Sequence, residues 1–411
     1  MKNTIPHTIY MQDGSALNIN KRIAKRAVSL KSFLAEVPDP RKHHGKRHSL
    51  LLILLIIFVA LLRGSKDLKD ACLFARVNPK LFKRMGLPLL HGIPDPTTIS
   101  RVLAALDPER LIAAYRLFLA TLNISLGDTW SFDGKTMRAV TGENAVRHIL
   151  SFFSHETHLA LGQIGVDSKE NEIPAFERLL AQGGTLGGVA GKLLLGDALH
   201  TQRATATAIV AAKADYILVV KGNQRGLQRA IKTKLGSGQG SKQTGRKPDN
   251  YSYETTDRKR TITTTVTAMT TPPGDDELAL PLAGTQHWTQ VQTAGILHRT
   301  GTRIGKDGKV APVDETIGFI SSRILTAEEV ATHLREHWCI ENNLHWVKDE
   351  VFGEDKHTLR KGKAPQIMSF LRSMAISLCN ALKLKSISDA IHNLEKSAML
   401  LGQFLRMAAV I

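Results

Sequence analysis

The chain has 411 residues, which is longer than one ordinary domain and predicts two or three folded units. Its apolar fraction of 43% is typical of a globular protein with a buried core. Lysine and arginine number 55 against 37 acidic residues, which gives a formal net charge of +18. This excess favours a polyanionic partner, because cationic side chains displace the counterions condensed on nucleic acid. The composition leaves one alternative open, a soluble basic protein with no nucleic-acid role.

Cysteine use and hydropathy exclude several other classes of protein. Cys72, Cys339 and Cys379 lie far apart with no Cys-x-x-Cys pair, which argues against a structural zinc site or a disulfide framework and fits a reducing cytosol. The first residues carry scattered charges and no apolar run, so no signal peptide is indicated. The most hydrophobic stretch, 50–62, is shorter than the roughly 20 residues of a membrane-spanning helix. We interpret it as a buried core helix, and a membrane anchor is the less favoured alternative.

The N-terminal part is predicted to be irregular at first and then helical. Residues 1–28 are polar and form a predicted flexible leader, and residues 29–125 form a predicted all-helical, basic domain. The segment DPTTISRVLAAL predicts a helix capped by Thr97 or Thr98. The basic run of this domain also contains His43, His44 and His48. Since no carboxylate or cysteine stands at ligand spacing from them, a basic surface is favoured over a metal cluster, and both DNA binding and scaffolding remain open.

Residues 126–235 have the pattern of a mixed α/β sheet. Strands are predicted at TWSFDGKTM, HILSFFS and LALGQIGVD, followed by an amphipathic helix, the strand KLLLGDALH, an Ala-rich helix, the strand DYILVVKG and a basic helix. Three strands followed by alternating helices and strands are typical of such a sheet. Asp133 and Asp197 close two of the apolar strands, at the end where α/β sheets hold their ligands.

The last third of the chain divides into three predicted segments. Residues 236–322 open with a Gly/Ser/Lys-rich stretch and continue as alternating Thr, Val and Tyr runs, which predicts a β-rich insertion. Residues 323–385 return to a helical period, and one long helix starts at Thr326 with two glutamates in its first turn. Residues 386–411 are predicted to form a C-terminal helical tail.

Two aspartates and one glutamate form the candidate catalytic and metal-binding set. Phosphodiester cleavage needs an activated oxygen nucleophile and a stabilised oxyanion, which two divalent ions about 3.5–4 Å apart can supply. Mg²⁺ and Mn²⁺ prefer carboxylate oxygens. Asp133 and Asp197 can share such ions if the first and fourth strands are neighbours, with Glu341 of the long helix as the third ligand. Taken singly each residue is weak evidence, since an Asp at a strand end is commonly a turn former and a helix Glu is commonly solvated.

Several specific motifs occur along the chain in a fixed order. They are FLAEVPDPRKHHGKRHSLLLILL, GIPDPTTISRVLAALDPERL, FDGKTMR, LALGQIGVDSKENEIPAFERLL, LLLGDALHTQ, DYILVVKGNQ and HWCIENNLHWVKDEVFGEDKHTLRKG. With them the sequence resembles the H-repeat-associated transposases of bacterial insertion sequences, a branch of the DDE superfamily with an RNase H-like catalytic fold. The likeness runs from about residue 30 to residue 385. It implies a DDE-associated N-terminal domain and catalytic roles for Asp133, Asp197 and Glu341.

Related enzymes carry a Tyr-x2-Arg-x3-Glu-x6-Lys signature around the glutamate. Lys348 stands at the Lys position, two helical turns from Glu341, whereas His337 and Leu334 replace the Arg and the Tyr. The resemblance implies that Lys348 holds a DNA phosphate and that Arg335 or His337 substitutes for the arginine, with a solvated surface lysine as the alternative for Lys348. Further predicted DNA contacts are Lys135, Arg360, Lys361 and Lys363. Candidates for stacking on an unpaired base are Trp338 and Trp346, although aromatics at helical spacing are more often part of a core.

The combined prediction is an insertion-sequence transposase with an RNase H-like mixed sheet, a β-rich insertion and a helical N-terminal domain. The resemblance implies a homo-oligomer that binds terminal inverted repeats and target DNA in the bacterial cytoplasm, in association with the nucleoid and without a membrane. Two Mg²⁺ or Mn²⁺ ions are the expected cofactors, and no nucleotide is needed because transesterification conserves the bond energy. The alternatives are a nuclease that no longer transposes and a DNA-binding protein derived from a transposase.

Overall fold

The computed structural model describes residues 8–18, 28–42, 46–137, 140, 146–167, 172–183, 188–236, 248–257, 260–271, 275, 278, 280, 288–305 and 308–410. His43, His44, the stretch 237–247 and most of the predicted leader lie outside these residues. The chain separates into two compact units. The first unit comprises Met1–Gly127, Gly134–Gly188 and Ile340–Ile411, and the second comprises Asp128–Asp133 and Val189–Cys339.

The helices and strands follow one another in this order: α1 (Leu30–Ala35), α2 (Leu50–Leu62), α3 (Leu68–Val77), α4 (Pro79–Arg84), α5 (Pro96–Ala105), α6 (Pro108–Thr121), β1 (Thr129–Thr136), β2 (Val146–Ser154), β3 (Ala160–Asp167), α7 (Glu172–Gly183), β4 (Leu193–Gly196), α8 (Arg203–Ala211), β5 (Asp215–Val220), α9 (Arg225–Gly236), β6 (Asp249–Asp257), β7 (Arg260–Thr270), β8 (Thr293–Ile304), β9 (Val310–Ser321), α10 (Ala327–Ile340), α11 (Ala364–Ala381), α12 (Ile387–Lys396) and α13 (Ala398–Met407). The π-helical segments Glu341–His345 and Val347–Val351 follow α10, and short 3-10 turns lie at Gly222–Gln224 and Glu354–Lys356.

Helix α2 is the centre of the helical part of the first unit. Ser49 caps its N-terminus by accepting a hydrogen bond from the backbone N–H of Leu52 at 3.2 Å. Every residue of the helix except Leu51 is buried, which confirms the predicted core helix at 50–62. Among the described residues, none of the helices is both long and apolar enough to cross a membrane.

The start of α5 differs from the sequence prediction. Asp95 caps this helix, since its Oδ1 accepts hydrogen bonds from both the backbone N–H and the hydroxyl of Thr97 at 2.8 Å. The predicted cap at Thr97 or Thr98 is therefore wrong. The reason is Pro96, whose fixed φ and missing N–H are tolerated at the first position of a helix, so that the cap falls on the residue before it.

The first unit also contains the β2–β3 hairpin, in which Ile149 is paired with Gly165. Helix α7 packs on this hairpin, and the buried helix α11 packs against β3, α2, α5 and α6. Two hydrogen bonds fasten β3 to α11. The hydroxyl of Ser377 accepts from the backbone N–H of Ala160 at 2.9 Å, and Gln163 Nε2 donates to the backbone carbonyl of Gln366 at 3.0 Å. The hairpin and the helices therefore share one core.

The second unit is built on a sheet with the strand order β1–β4–β5–β9–β8–β7–β6, to which β1 contributes its first residues. Strands β1, β4 and β5 are parallel, and β9 is antiparallel to β5. Strands β6 to β9 form successive antiparallel pairs, so the β-rich segment predicted at 236–322 continues the sheet beyond β5. This arrangement confirms the predicted mixed α/β fold.

Helix α10 covers one face of that sheet. Its start at Thr326 is a capping box, as the sequence predicted, because Glu329 Oε2 accepts from the backbone N–H of Thr326 at 2.8 Å and Thr326 Oγ1 accepts from the backbone N–H of Glu329 at 3.2 Å. Val330 and Leu334 of the helix join a buried cluster with residues of β4, β5 and β9 such as Phe319. Burial of this apolar face fixes the helix on the sheet.

Candidate metal centre

Two carboxylates lie side by side where the parallel strands β1 and β4 meet. Phe132 of β1 is paired with Gly196 of β4, so the next residues, Asp133 and Asp197, stand at the same level of neighbouring strands. This confirms the condition on which the predicted shared site depended. Asp197 follows its strand directly, whereas β1 continues past Asp133 to Thr136, so the prediction that Asp133 closes its strand is wrong.

Because Gly196 has no side chain, it leaves room for the ring of Phe132 from the neighbouring strand. A Cβ atom at this position would lie only 2.4 Å from Cζ of Phe132. The Phe132 ring is fully buried, and its centroid lies 5.4 Å from that of the His200 ring. Packed side chains therefore form a rigid base beneath the two carboxylates.

His200 is a third candidate ligand that the sequence analysis did not identify. Its backbone N–H donates to Asp197 Oδ1 at 3.2 Å, and its Nε2 lies 3.9 Å from the same oxygen. Asp133, Asp197 and His200 can each offer one ligand atom, and these atoms lie within 4.8 Å of one another. Carboxylate oxygens suit Mg²⁺ and Mn²⁺, and a neutral imidazole is a common metal ligand, so the donor set fits a divalent ion. The signal in the sequence was the histidine three residues after Asp197 in LLLGDALHTQ.

The loop that follows Asp197 is held in place by the turn after β5. Asn223 Nδ2 donates to the backbone carbonyl of Ala198, and Gln224 Nε2 donates to the backbone carbonyl of Thr201 at 2.9 Å. These bonds give a physical role to the DYILVVKGNQ motif, whose last two residues the sequence analysis left without one. They restrain the backbone that carries the candidate ligands.

Glu341 belongs to the first unit and opens a π-helical segment. Its side chain is 65% exposed, and Oε2 lies 3.2 Å from Nδ1 of His345, whose side chain is buried. The sequence predicted one long helix here, and the chain does stay helical through Val351, but the π geometry was not foreseen. Single π-helical turns are rare and occur frequently at functional sites. Glu341 and His345 therefore form a second pair of carboxylate and imidazole.

His337 does not have the position expected of a DNA contact. It is 6% exposed, and its Nδ1 lies 2.8 Å from the hydroxyl of Ser131, a fully buried residue of β1. Both residues belong to the second unit. The expectation that His337 replaces the missing arginine at a phosphate is thus corrected, because the ring is buried against the strand that carries Asp133.

Lys348 is likewise buried inside the first unit, and Lys135 is part-buried there. Lys135 forms ion pairs with Asp349 and Glu354 and has a side chain only 10% exposed. Lys348 is 1% exposed, and its Nζ donates to the hydroxyl of Ser369 at 3.1 Å. Both were expected to bind DNA, and for Lys348 a solvated surface lysine was the alternative. Burial corrects the expectation for Lys348 and its alternative, whereas the DNA contact of Lys135 stays a prediction.

The remaining candidates for DNA contact are on the surface. Exposed cations are Arg335, Arg360, Lys361 and Lys363. Trp338 is 42% exposed and Trp346 is 55% exposed, so the alternative of core tryptophans is wrong. The guanidinium carbon of Arg299 lies 3.5 Å from the ring centroid of Trp338, a cation–π contact within the second unit.

Comparison with known proteins identifies the class. The chain matches the family model DDE_Tnp_1-associated over residues 31–119 and the model described as Transposase DDE domain over residues 127–378. A putative transposase YncI of Escherichia coli O157:H7 is 30% identical over 86% of this chain and 88% of its own length. The H repeat-associated putative transposase YhhI of Escherichia coli K12 is 29% identical over 85% of this chain and 89% of its own length.

The chain therefore belongs to the DDE transposase family, whose catalytic domain is RNase H-like. Among its relatives, the H repeat-associated putative transposase YhhI matches most of the chain, as the resemblance in the sequence implied. An uncharacterized protein from the dhlA 3′ region of Xanthobacter autotrophicus is also similar, with 37% identity over 49% of this chain and 68% of its own length. The protein is a transposase, a class of enzyme that acts on DNA and uses divalent metal.

Proposed function

We propose that this transposase cuts DNA at the ends of its own element and joins the freed 3′-hydroxyl to target DNA with the help of Mg²⁺ or Mn²⁺. The observation that supports this most directly is the close set of Asp133, Asp197 and His200 on neighbouring parallel strands. Divalent ions bound there would activate the attacking oxygen and stabilise the charge that develops on the scissile phosphate. The protein contributes a rigid base, two anionic ligands and a restrained loop.

Glu341 is the third carboxylate of this proposal. Its place in the motif HWCIENNLHWVKDEVFGEDKHTLRKG, which resembles the C-terminal signature of the family, supports this role. His345 then orients the Glu341 carboxylate, as an imidazole near a ligand carboxylate commonly does.

The DNA itself is proposed to lie along the exposed cations and tryptophans. Lys361 and its neighbours in the turn before α11 would hold backbone phosphates, which carry affinity but no sequence information. The exposed side chains of Trp338 and Trp346 are the proposed stacking partners of unpaired bases. Terminal inverted repeats are the proposed specific sites, and a homo-oligomer is the proposed assembly on paired ends.

Neutralising the basic turn is expected to weaken DNA binding without changing sequence preference. The triple change of Arg360, Lys361 and Lys363 to Gln removes three exposed charges, so the slope of log affinity against log salt should become shallower by about 3. Fluorescence anisotropy with end DNA at several salt concentrations measures the slope. The triple change of Lys83, Arg84 and Lys80 to Gln on α4 is the matched control, and an equal effect in both variants would contradict a specific role for the turn.

The function is tested by incubating the full-length protein with its element's end DNA and Mn²⁺, and mapping the products on each strand. We expect a cut that leaves a 3′-hydroxyl at the element end and, with added target DNA, a joined product. Cutting without joining would support a nuclease that no longer transposes. Binding without any cutting, with Mg²⁺ or Mn²⁺, would refute the proposal and leave a DNA-binding protein.

A further inference from the structure

The first unit contains a cluster of buried or half-buried charged side chains that the metal centre does not use. Its members are Lys135, Lys348, Asp349, Glu354 and Arg372. They come from three segments, namely the end of β1, the chain that follows Glu341, and α11. Charged side chains are rarely buried unless they are paired, so the cluster needs a physical explanation.

Glu354 is the centre of this cluster. Its side chain is 1% exposed, and its two oxygens face different partners, with Oε2 at 2.6 Å from Nζ of Lys135 and Oε1 at 3.5 Å from Nη1 of Arg372. The neighbouring Gly353 has a φ of +62°, a left-handed conformation that glycine adopts readily and that turns the chain into the cluster. One carboxylate therefore links β1 to α11.

Glu354 supplies the negative charge that compensates the three cations of the cluster. Burial alone would raise the pKa of its carboxyl group, but the cations Lys348, Arg372 and Lys135 outweigh burial and lower the pKa to about 2. Burial lowers the pKa of Lys348 to about 8, although the charge of Glu354 opposes the shift. Three cations thus depend on one fully buried, ionised carboxylate, and Asp349 is the second anion of the five-residue cluster.

We propose that Glu354 is a positioning residue of the transposase centre, which neutralises the buried cations and, through its ion pair with Lys135, fixes the end of the strand that carries Asp133. This inference rests on the proposed function, since it assigns Asp133 to catalysis. Lys135 lies two residues after Asp133 and so on the same face of β1. A displacement of the Lys135 backbone is passed directly to Asp133, and displacements of about 1 Å can reduce a catalytic rate by about 10²-fold.

The test compares Glu354→Gln and Lys135→Gln with the control Glu350→Gln, an exposed glutamate of the same segment. Three quantities are measured on the full-length protein: hydrogen exchange of the backbone amides at 130–137, the cleavage rate at saturating end DNA and Mn²⁺, and the salt dependence of DNA binding. Both test variants should exchange at least about tenfold faster at 130–137 than the control, with exchange in β7 unchanged. Their cleavage rate should fall about 10²-fold, with an unchanged salt slope.

Three outcomes decide against the inference. Unchanged exchange at 130–137 in both variants would overturn it, and so would an increase spread evenly over the first unit, which indicates general destabilisation. A salt slope shallower by about 1 in Lys135→Gln would assign this lysine to a DNA phosphate instead. If Glu354→Gln does not fold, the measurements on Lys135→Gln alone decide. In that variant Glu354 still has two cations as partners. If the wild-type protein does not cleave, the proposed function fails, whereas hydrogen exchange still decides the positioning role.

Discussion

Replacing Asp133 with Asn is expected to abolish Mn²⁺-dependent cleavage while DNA binding is retained. The amide keeps the shape of the side chain in β1 but removes one anionic ligand from the set formed with Asp197 and His200. The expected loss in cleavage rate is at least about 10²-fold, the lower end of the range of about 10²–10³ found when one group that stabilises transition-state charge is removed. Asp197→Asn and Glu341→Gln should behave alike, because residues that act as one unit lose function together.

The matched control for this prediction is Asp128→Asn. Asp128 precedes the same strand, but it is exposed and pairs with Lys192 at 2.8 Å, away from the candidate ligands. Mn²⁺ titration by calorimetry without DNA gives a second measurement, in which Asp133→Asn should weaken binding and Asp128→Asn should not. A variant of Asp133 that cuts end DNA at the normal rate would remove this residue from the catalytic set.

The sequence predicted those parts of the fold that depend on local pattern. The order of strands and helices from β1 to α9 follows from alternation and amphipathic period, and the capping box at Thr326 follows from residue types at fixed spacing. The apolar run of β4 also led to Asp197, because a strand that is buried on both faces ends where its first polar residue stands. The shared site required β1 and β4 to be neighbours, which the sequence alone does not establish. The structure shows that the two strands are paired.

The sequence did not predict which side chains are buried by residues distant along the chain. Lys348 has the spacing of a phosphate-binding lysine, but its acceptor, Ser369, lies on a later helix and nothing local indicates that contact. The same holds for His337, whose partner Ser131 is 206 residues away in the chain. For Trp338 the error is the reverse. Helical spacing favoured a position in the core, but the side chain is exposed. In each case a partner distant in sequence decides the outcome.

The buried cluster predicts an asymmetry in stability between removing its anion and removing one of its cations. Glu354→Gln leaves three cations without their shared counterion, and breaking a buried ion pair in this way costs about 3–5 kcal/mol in free energy of unfolding. Lys348→Met removes one of three cations and leaves Glu354 paired with Lys135 and Arg372. Its effect at pH 7 should be clearly smaller than that of Glu354→Gln, because no buried charge is left without a partner.

The pH dependence separates the two variants further. In the folded protein the pKa of Glu354 is about 2, below its ordinary value of 4.5, so its contribution to stability is complete above pH 4.5 and is lost as the pH falls towards 2. The pKa of Lys348 is lowered by burial to about 8 from an ordinary 10.5. The unfolded chain therefore binds more protons between these two values, and the wild-type protein should gain stability as the pH rises from about 8 to about 10.5.

Urea denaturation at pH 3, 5, 7 and 9.5, followed by circular dichroism, measures both effects. Lys348→Met should lack the alkaline gain that the wild-type protein shows, because it has no ammonium group to deprotonate. Glu354→Gln should keep that gain or enlarge it, since the pKa of Lys348 falls further once its nearest anion is neutral. Equal losses of stability at pH 7 in the two variants would mean that the cluster has no central anion, and the role assigned to Glu354 would have to be given up.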